Sequence, residues 1–177
     1  MDFQQSQTHT NVENALDNEL KTVGLFQLFS KKAGQEEQLY IQSIFDTIAR
    51  NDSFLAERFR RILFTGDPDS QMNLAEGMQI TERTSRVYRD YARIAADEGF
   101  IDLASLFNGV ANIKLNHNSA LQTTLINIQN GTLFCKGTPV LWICIGCGNI
   151  LSGDCAPEIC PICGYPQGYY GLYNNCL

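Results

Sequence analysis

Two copies of a Cys-x-x-Cys-Gly motif constrain this sequence more than any other feature. The first lies in residues 142–148 (WICIGCG) and the second in residues 160–165 (CPICGY). Each motif forms a tight turn that aims two thiolates at one point, and the glycine after it permits the unusual backbone angles that such a turn needs. Two such turns facing each other predict one tetrahedral metal site, whose ligands are Cys144, Cys147, Cys160 and Cys163.

A site made of four thiolates suits either iron or zinc, and the residues alone leave that choice open. The alternative, four cysteines without a metal, agrees poorly with a spacing this specific. A domain of about forty residues has too small a hydrophobic core to fold securely alone. We therefore expect the metal ion to hold this part of the chain together.

The cysteine count and the charge narrow the class of protein. All seven cysteines lie at or beyond residue 135, unlike the dispersed cysteines of a disulfide framework. The first residues lack the basic start and apolar stretch of a secretory signal, so we expect a cytoplasmic protein in a reducing compartment. The net charge is −6, with no cluster of Lys and Arg placed like a phosphate-binding patch and no apolar run of membrane-spanning length. We expect neither nucleic acid nor a membrane as partner.

The composition changes near residue 131. Pro68 is the only proline before that point, whereas the later part is rich in glycine, proline, tyrosine and cysteine. We predict residues 1–12 as a polar tail, 13–131 as a helical domain, 132–139 as a turn-rich linker and 140–177 as the cysteine-rich domain.

The sequence of the helical domain predicts four helices with short connections. They are predicted over residues 14–33, 36–64, about 70–98 and 101–128. Gly99 is expected to end the third helix. The second has the clearest apolar stripe, at the three- and four-residue spacing of one helical face. Its members are Ile41, Ile44, Phe45, Ile48, Leu55, Phe59 and Ile62. Four helices with short connections predict a mainly α fold, an antiparallel four-helix bundle.

The cysteine region closely resembles the C-terminal rubredoxin-like domain of rubrerythrins from Trp142 to about Leu172. The resemblance is carried by Trp-x-Cys-x-x-Cys-Gly, by a gap of twelve residues ending in residues 156–159 (APEI), and by Cys-Pro-x-Cys-Gly-x-Pro-Gln. It implies a ferritin-like bundle followed by a small domain with short β strands. It also implies a homodimer in which one Fe(Cys)₄ centre passes single electrons to a di-iron site that reduces peroxide.

The same resemblance locates the positions of the di-iron ligands. Residues 29–33 and 91–100 set the register, and the first carboxylate position falls on Glu19, which is retained. The two Glu-x-x-His motifs fall on residues 52–55 (DSFL) and 114–117 (KLNH), which keep only Asp52 and His117 as ligand types. The carboxylate positions of the third helix fall on Ile80 and Arg83, although a shifted helix would bring Glu76 or Glu82 inward. We therefore expect no di-iron centre.

Inward carboxylates without metal ions need another source of positive charge. We hypothesise that Arg83 and Lys114 supply it, in a charge-paired or hydrogen-bonded cluster with Glu19, Asp52 and His117. For His117 the alternatives are a satisfied core histidine or a remnant metal ligand, and for Glu19 a simple salt-bridge partner.

Two functions remain open at this point. The first is a redox protein that accepts an electron from a reductase through an Fe(Cys)₄ centre. The second is a non-enzymatic scaffold or interaction protein with structural zinc. Intact peroxidase activity would need ligands that the helices lack, and no other catalytic motif is present. The remaining cysteines, Cys135, Cys155 and Cys176, are interpreted as free thiols on loops and a tail.

Overall fold

The protein consists of four long helices followed by a three-stranded antiparallel sheet, in a computed structural model that describes residues 2–173. The helices are α1 (Gln7–Gln35), α2 (Leu39–Leu63), α3 (Ser70–Asp97) and α4 (Ile101–Gln129). The strands are β1 (Cys135–Cys144), β2 (Ile150–Cys155) and β3 (Tyr170–Leu172), with β1 in the centre of the sheet. The predicted fold class is confirmed. Within residues 2–173, no helix has both the length and the hydrophobicity of a membrane span.

The element boundaries differ from prediction mainly at the two ends of the helical region. α1 begins at Gln7, inside the residues predicted as a polar tail, because the Ser6 side chain accepts a hydrogen bond from the backbone N–H of His9 at 3.1 Å. β1 begins at Cys135, inside the predicted linker. The end of α3 agrees with prediction: Gly99 has a φ of +86°, and the N–H of Phe100 then reaches the carbonyl of Ala95 at 2.7 Å.

The chain divides into two compact units, Met1–Asp69 and Ser70–Leu177. The first contains the α1–α2 hairpin, and the second contains the α3–α4 hairpin and the sheet. The predicted limits of a single helical domain, 13–131, stay a prediction.

Small side chains line the contact between α1 and α2. Ala33, Ala49 and Ala56 are buried there, and the buried Ser30 hydroxyl donates a hydrogen bond to the carboxylate of Asp46 on the facing helix. Small residues let two helix backbones approach closely. Three aromatic rings then pack beside the alanines, with centroids 5.5 to 5.8 Å apart: those of Phe26, Phe29 and Phe45.

The contact between α3 and α4 follows the same design. Ala92, Ala95, Ala104 and Ala111 are buried, and the Ser85 hydroxyl donates to the carbonyl oxygen of Ala111 at 3.0 Å. A second aromatic cluster packs beside them, formed by Tyr88, Tyr91 and Phe107. Each hairpin is thus held by small residues in its contact and by one group of three rings.

The apolar stripe predicted for the second helix is only partly buried in this chain. Ile41, Ile44, Leu55 and Ile62 each leave 40–42% of their surface exposed. Alanines occupy part of the contact of α2 with α1, and of the stripe residues Phe45 packs there against Phe26 and Phe29. The spacing of apolar residues in the second helix identified an apolar face, but it did not identify which part of the protein packs against that face.

The buried position of Ala111 yields a test of this packing. Ala111→Leu adds a large side chain where Ala111 is 0% exposed, so we expect the free energy of unfolding to fall by about 1–3 kcal/mol. Ala96→Leu, at an exposed position of α3, is the control and should change stability little. Urea denaturation followed by circular dichroism measures both. Equal stabilities of the two variants would contradict the packing described.

Candidate metal centre

The four motif cysteines come from two turns attached to the small sheet. Cys144 is the last residue of β1, and Cys147 follows in the turn that leads to β2. Cys160 and Cys163 occupy the second turn, between β2 and β3. The sheet therefore fixes the first turn directly, while the second turn is placed by the segments on either side of it.

Both turns close with the same hydrogen-bond pattern. The N–H of Gly148 donates to the carbonyl of Cys144 at 2.7 Å, and the N–H of Gly164 donates to the carbonyl of Cys160 at 2.9 Å. The two glycines have φ values of +78° and +74°, a region that residues with a side chain seldom adopt. The predicted role of the glycine after each motif is confirmed.

The four sulfur atoms converge on one point. The Sγ atoms of Cys144 and Cys163 lie 3.7 Å apart, as do those of Cys147 and Cys160, and all four lie within 4.8 Å of one another. A tetrahedral site with metal–sulfur bonds of about 2.3 Å has sulfur–sulfur edges of about 3.8 Å. The donor set and its spacing therefore fit one iron or zinc ion. Over residues 2–173, no second group of three or more His, Cys, Asp or Glu ligand atoms comes together.

Two of the sulfurs belong to the hydrophobic core of the small domain. Cys144 and Cys160 are buried with Trp142, Ala156 and Tyr170. The indole N–H of Trp142 donates to the carbonyl of a glycine on β2 at 3.0 Å, so this large side chain is buried with its polar atom paired. Burial of two ligands makes the metal site part of the core that it stabilises.

A pair of stacked tyrosines covers the first turn. The rings of Tyr165 and Tyr169 are 4.3 Å apart at an angle of 14°. Tyr165 lies so close to Gly146 that a Cβ atom there would come within 2.2 Å of its ring. Glycine at position 146 is thus required by a close approach, in contrast to the backbone angles that require Gly148 and Gly164.

Tyr170 is the residue at this site that sequence reasoning missed. Its hydroxyl is buried and makes no hydrogen bond of standard geometry with the described residues. It nevertheless lies close to Cys160, and the pKa of that thiol is lowered to about 6. The Tyr170 hydroxyl makes the largest contribution to this decrease, and the backbone N–H groups of Cys163 and Ile162 make smaller ones. The same proximity raises the pKa of Tyr170 to about 12. No motif marks this tyrosine, since it lies seven residues beyond the last ligand.

The pKa values of two other ligands move in the opposite direction. The N–H of Tyr165 acts to lower the pKa of Cys163, but partial desolvation and the other three thiols outweigh it and raise that pKa to about 12. The pKa of Cys147 is also raised: the N–H of Asn149 acts against the rise, and desolvation and the thiols of Cys144 and Cys160 outweigh it. Several thiols this close cannot all ionise without a cation among them.

The predicted residues of the helices are divided between the two units. Glu19 and Asp52 are half-buried in the first, whereas Lys114 is half-buried and Arg83 and His117 are exposed in the second. His117 is exposed in this chain, which contradicts its interpretation as a satisfied core histidine. The proposed charge-paired cluster stays a prediction.

Two of the three extra cysteines form a bond that was not expected. Cys135 and Cys155 are joined by a disulfide between β1 and β2, so their interpretation as free thiols on loops is wrong. The reason is the strand register, which pairs these two residues directly. The third, Cys176, lies outside the described residues.

Comparison with known proteins gives consistent matches. Residues 142–170 match the family model described as the rubredoxin-like domain of rubrerythrin. The chain is 28% identical to Rubrerythrin-1 of Clostridium acetobutylicum, covering 96% of both chains. It is 27% identical to the rubrerythrin of Nitratidesulfovibrio vulgaris, covering 94% of both. A structure of nigerythrin in a mixed-valence state aligns with 95% of this chain and 87% of its own, at 19% identity and a TM-score of 0.35.

The pKa shifts predict how metal binding depends on pH. Thiols must lose their protons to bind metal, so affinity falls as pH falls. Below about pH 6 the Cys160 thiol is protonated as well, and we expect the loss to steepen there. In Tyr170→Phe the pKa of Cys160 rises, so the steep region moves to higher pH. Competition with a chelator between pH 5 and 8 measures this, with Tyr173→Phe as the control. An unchanged profile in Tyr170→Phe would contradict the role of this hydroxyl.

Proposed function

This chain belongs to the rubrerythrin family, and we propose that it transfers single electrons through one iron ion held by Cys144, Cys147, Cys160 and Cys163. The observation that carries the proposal is the convergence of four sulfurs, at the spacing of a tetrahedral site, in a region that matches the family's rubredoxin-like domain. Iron in such a site supplies a centre that alternates between the ferrous and ferric states.

The surroundings of the four sulfurs suit this role. Cys144 and Cys160 are buried, while Cys147 and Cys163 reach the surface. The buried side excludes water, and the backbone N–H groups of residues 149, 162, 163 and 165 direct positive partial charge at the sulfurs. An electron would therefore enter and leave on the side of Cys147 and Cys163.

The surface beside these two cysteines suggests the kind of partner. Ile145, Ile159 and Ile162 are each 64–73% exposed there. From Gly137 to Gly153 no residue carries a charge. A small apolar patch fits a brief, weak contact of the kind that electron-transfer proteins make. We propose an electron-donating reductase in the cytoplasm as the partner.

We further propose that classical di-iron peroxidase activity has been lost. Leu55, Arg83 and Lys114 stand where the resemblance places a histidine and two carboxylates. A leucine offers no ligand atom, and the two cations repel a metal ion. These substitutions leave Glu19, Asp52 and His117 as too small a set for two irons.

A homodimer is the assembly that we propose. Both hairpins expose large apolar side chains, among them Leu28 and Phe54 in the first unit and Leu103 and Leu106 in the second, each 47–66% exposed. Exposed apolar area of this extent marks an interaction surface in a water-soluble chain. The family resemblance implies a second copy of the chain as its cover.

Metal analysis tests the function. We expect about one iron per chain in anaerobically prepared protein from the native source, with the red colour of ferric Fe(Cys)₄ on oxidation. Cys147→Ser should lose the colour and most of the metal, whereas the double variant Cys135→Ser/Cys155→Ser, which keeps all four ligands, should retain both. Colourless protein with one zinc per chain would overturn the electron-transfer role and support a scaffold. Three irons per chain would contradict the loss of the di-iron centre.

Sedimentation tests the assembly. We expect a mass of twice the 19.8 kDa of one chain. Leu106→Glu places a charge on the apolar face of α4, which is exposed in the single chain. Because the proposed dimer would bury this leucine, its loss should raise the dissociation constant of the dimer about tenfold or more. Asn108→Glu adds the same charge at a neighbouring exposed position and serves as the control. A wild-type monomer at micromolar concentration would show that no second copy covers these faces.

A further inference from the structure

A second pair of cysteines lies in the same small sheet as the metal centre. Cys135 is the first residue of β1 and Cys155 is the last residue of β2. The two are opposite each other in the antiparallel register, with their Cα atoms 4.0 Å apart, and are joined by a disulfide. Neither is a metal ligand, and the metal site is complete without them.

The pair is accessible to solvent. Cys155 is exposed and Cys135 is half-buried, whereas Cys144 and Cys160 of the metal site are buried. An incoming thiolate needs access to one sulfur of a disulfide, and exposed disulfides are the ones that exchange readily. In the cytoplasm, the location proposed above, disulfides are generally transient and catalytic or redox-sensing. Of the two residues, Cys155 is the more exposed, which makes it the more accessible to an incoming thiolate.

The surrounding strands hold together without this bond. Next to the pair, the N–H of Ala156 donates to the carbonyl of Phe134 at 2.8 Å. Further along, residues 140–143 of β1 pair with residues 150–153 of β2, and the indole of Trp142 donates to the carbonyl of Gly153. These contacts lie on both sides of the disulfide. Opening the bond therefore leaves both thiols in place, ready to form it again.

We propose that Cys135 and Cys155 form a redox-active disulfide that exchanges two electrons with a dithiol partner, as a second redox centre separate from the metal site. Because neither sulfur binds the metal, the proposal holds for iron and for zinc alike.

The exchange proceeds in two steps. A thiolate of the partner dithiol attacks Cys155 Sγ and forms a mixed disulfide, while the bond to Cys135 breaks and Cys135 leaves as a thiolate that takes up a proton. The partner's second thiolate then attacks its own sulfur in the mixed disulfide, closes the partner's disulfide and releases Cys155 as a thiolate, which is protonated in turn. Two electrons and two protons pass from the dithiol to this pair, and an oxidised partner reverses the sequence.

Equilibration of the metal-loaded full chain in mixtures of reduced and oxidised glutathione tests the proposal. After an acid quench and alkylation, peptide mass spectrometry reports the fraction of Cys135 and Cys155 that is reduced. We expect a change from mostly disulfide to mostly dithiol within the range of ratios that glutathione can set, while the metal content stays constant. A pair that stays oxidised in excess reduced glutathione until the protein is denatured would be a structural disulfide without a redox role. A pair that stays reduced in oxidised glutathione would not be a disulfide centre. Either outcome overturns the proposal.

Two single variants test the direction of attack. With a small disulfide reagent such as oxidised glutathione, Cys135→Ser should form the mixed disulfide at Cys155 severalfold faster than Cys155→Ser forms it at Cys135, because Cys155 is the more exposed of the two. The metal content of each variant reports whether the domain is folded. Equal rates in two folded variants would contradict the assignment of Cys155 as the attacked sulfur.

Discussion

The convergence of four sulfur atoms is the constraint on which the small domain depends. Its core is five residues, and two of these, Cys144 and Cys160, are ligands themselves. A core of this size contributes little stability on its own, and four thiols within 4.8 Å oppose one another's ionisation. A single cation would remove that opposition and tie the two turns together, so we expect metal binding and folding of the domain to be one event.

The environments of the ligands differ, and this asymmetry gives the site a direction. One side is closed by Trp142 and Tyr170, and the other exposes Cys147 and Cys163 beside three exposed isoleucines. The disulfide of Cys135 and Cys155 lies at the opposite end of β1 from Cys144. The proposed one-electron centre and the proposed two-electron pair thus lie at the two ends of one strand.

The helical hairpins show a complementary principle. Alanine and serine occupy the contacts within each hairpin, which lets the backbones approach closely, and the larger apolar residues are left on the outer faces. A leucine such as Leu106, more than half exposed, contributes little burial in the isolated chain. The proposed dimer would cover these faces, since burial of apolar area drives association as it drives folding.

Local rules explain which parts the sequence determined. Each Cys-x-x-Cys-Gly turn is encoded within a few residues, and the positive φ of Gly99 ends α3 wherever the helix lies, so the metal ligands, the four helices and the fold class could be predicted.

The tertiary structure alone decided the features that depend on residues distant in the sequence. A regular continuation of the β1–β2 register would place Thr138 opposite Cys155, and an irregularity between Cys135 and Val140 brings Cys135 there instead. The Tyr170 hydroxyl reaches Cys160 only because β3 pairs with β1, and the apolar stripe of α2 shares its contact with α1 with smaller residues. Patterns of spacing describe one segment at a time, whereas these contacts depend on how separate segments meet.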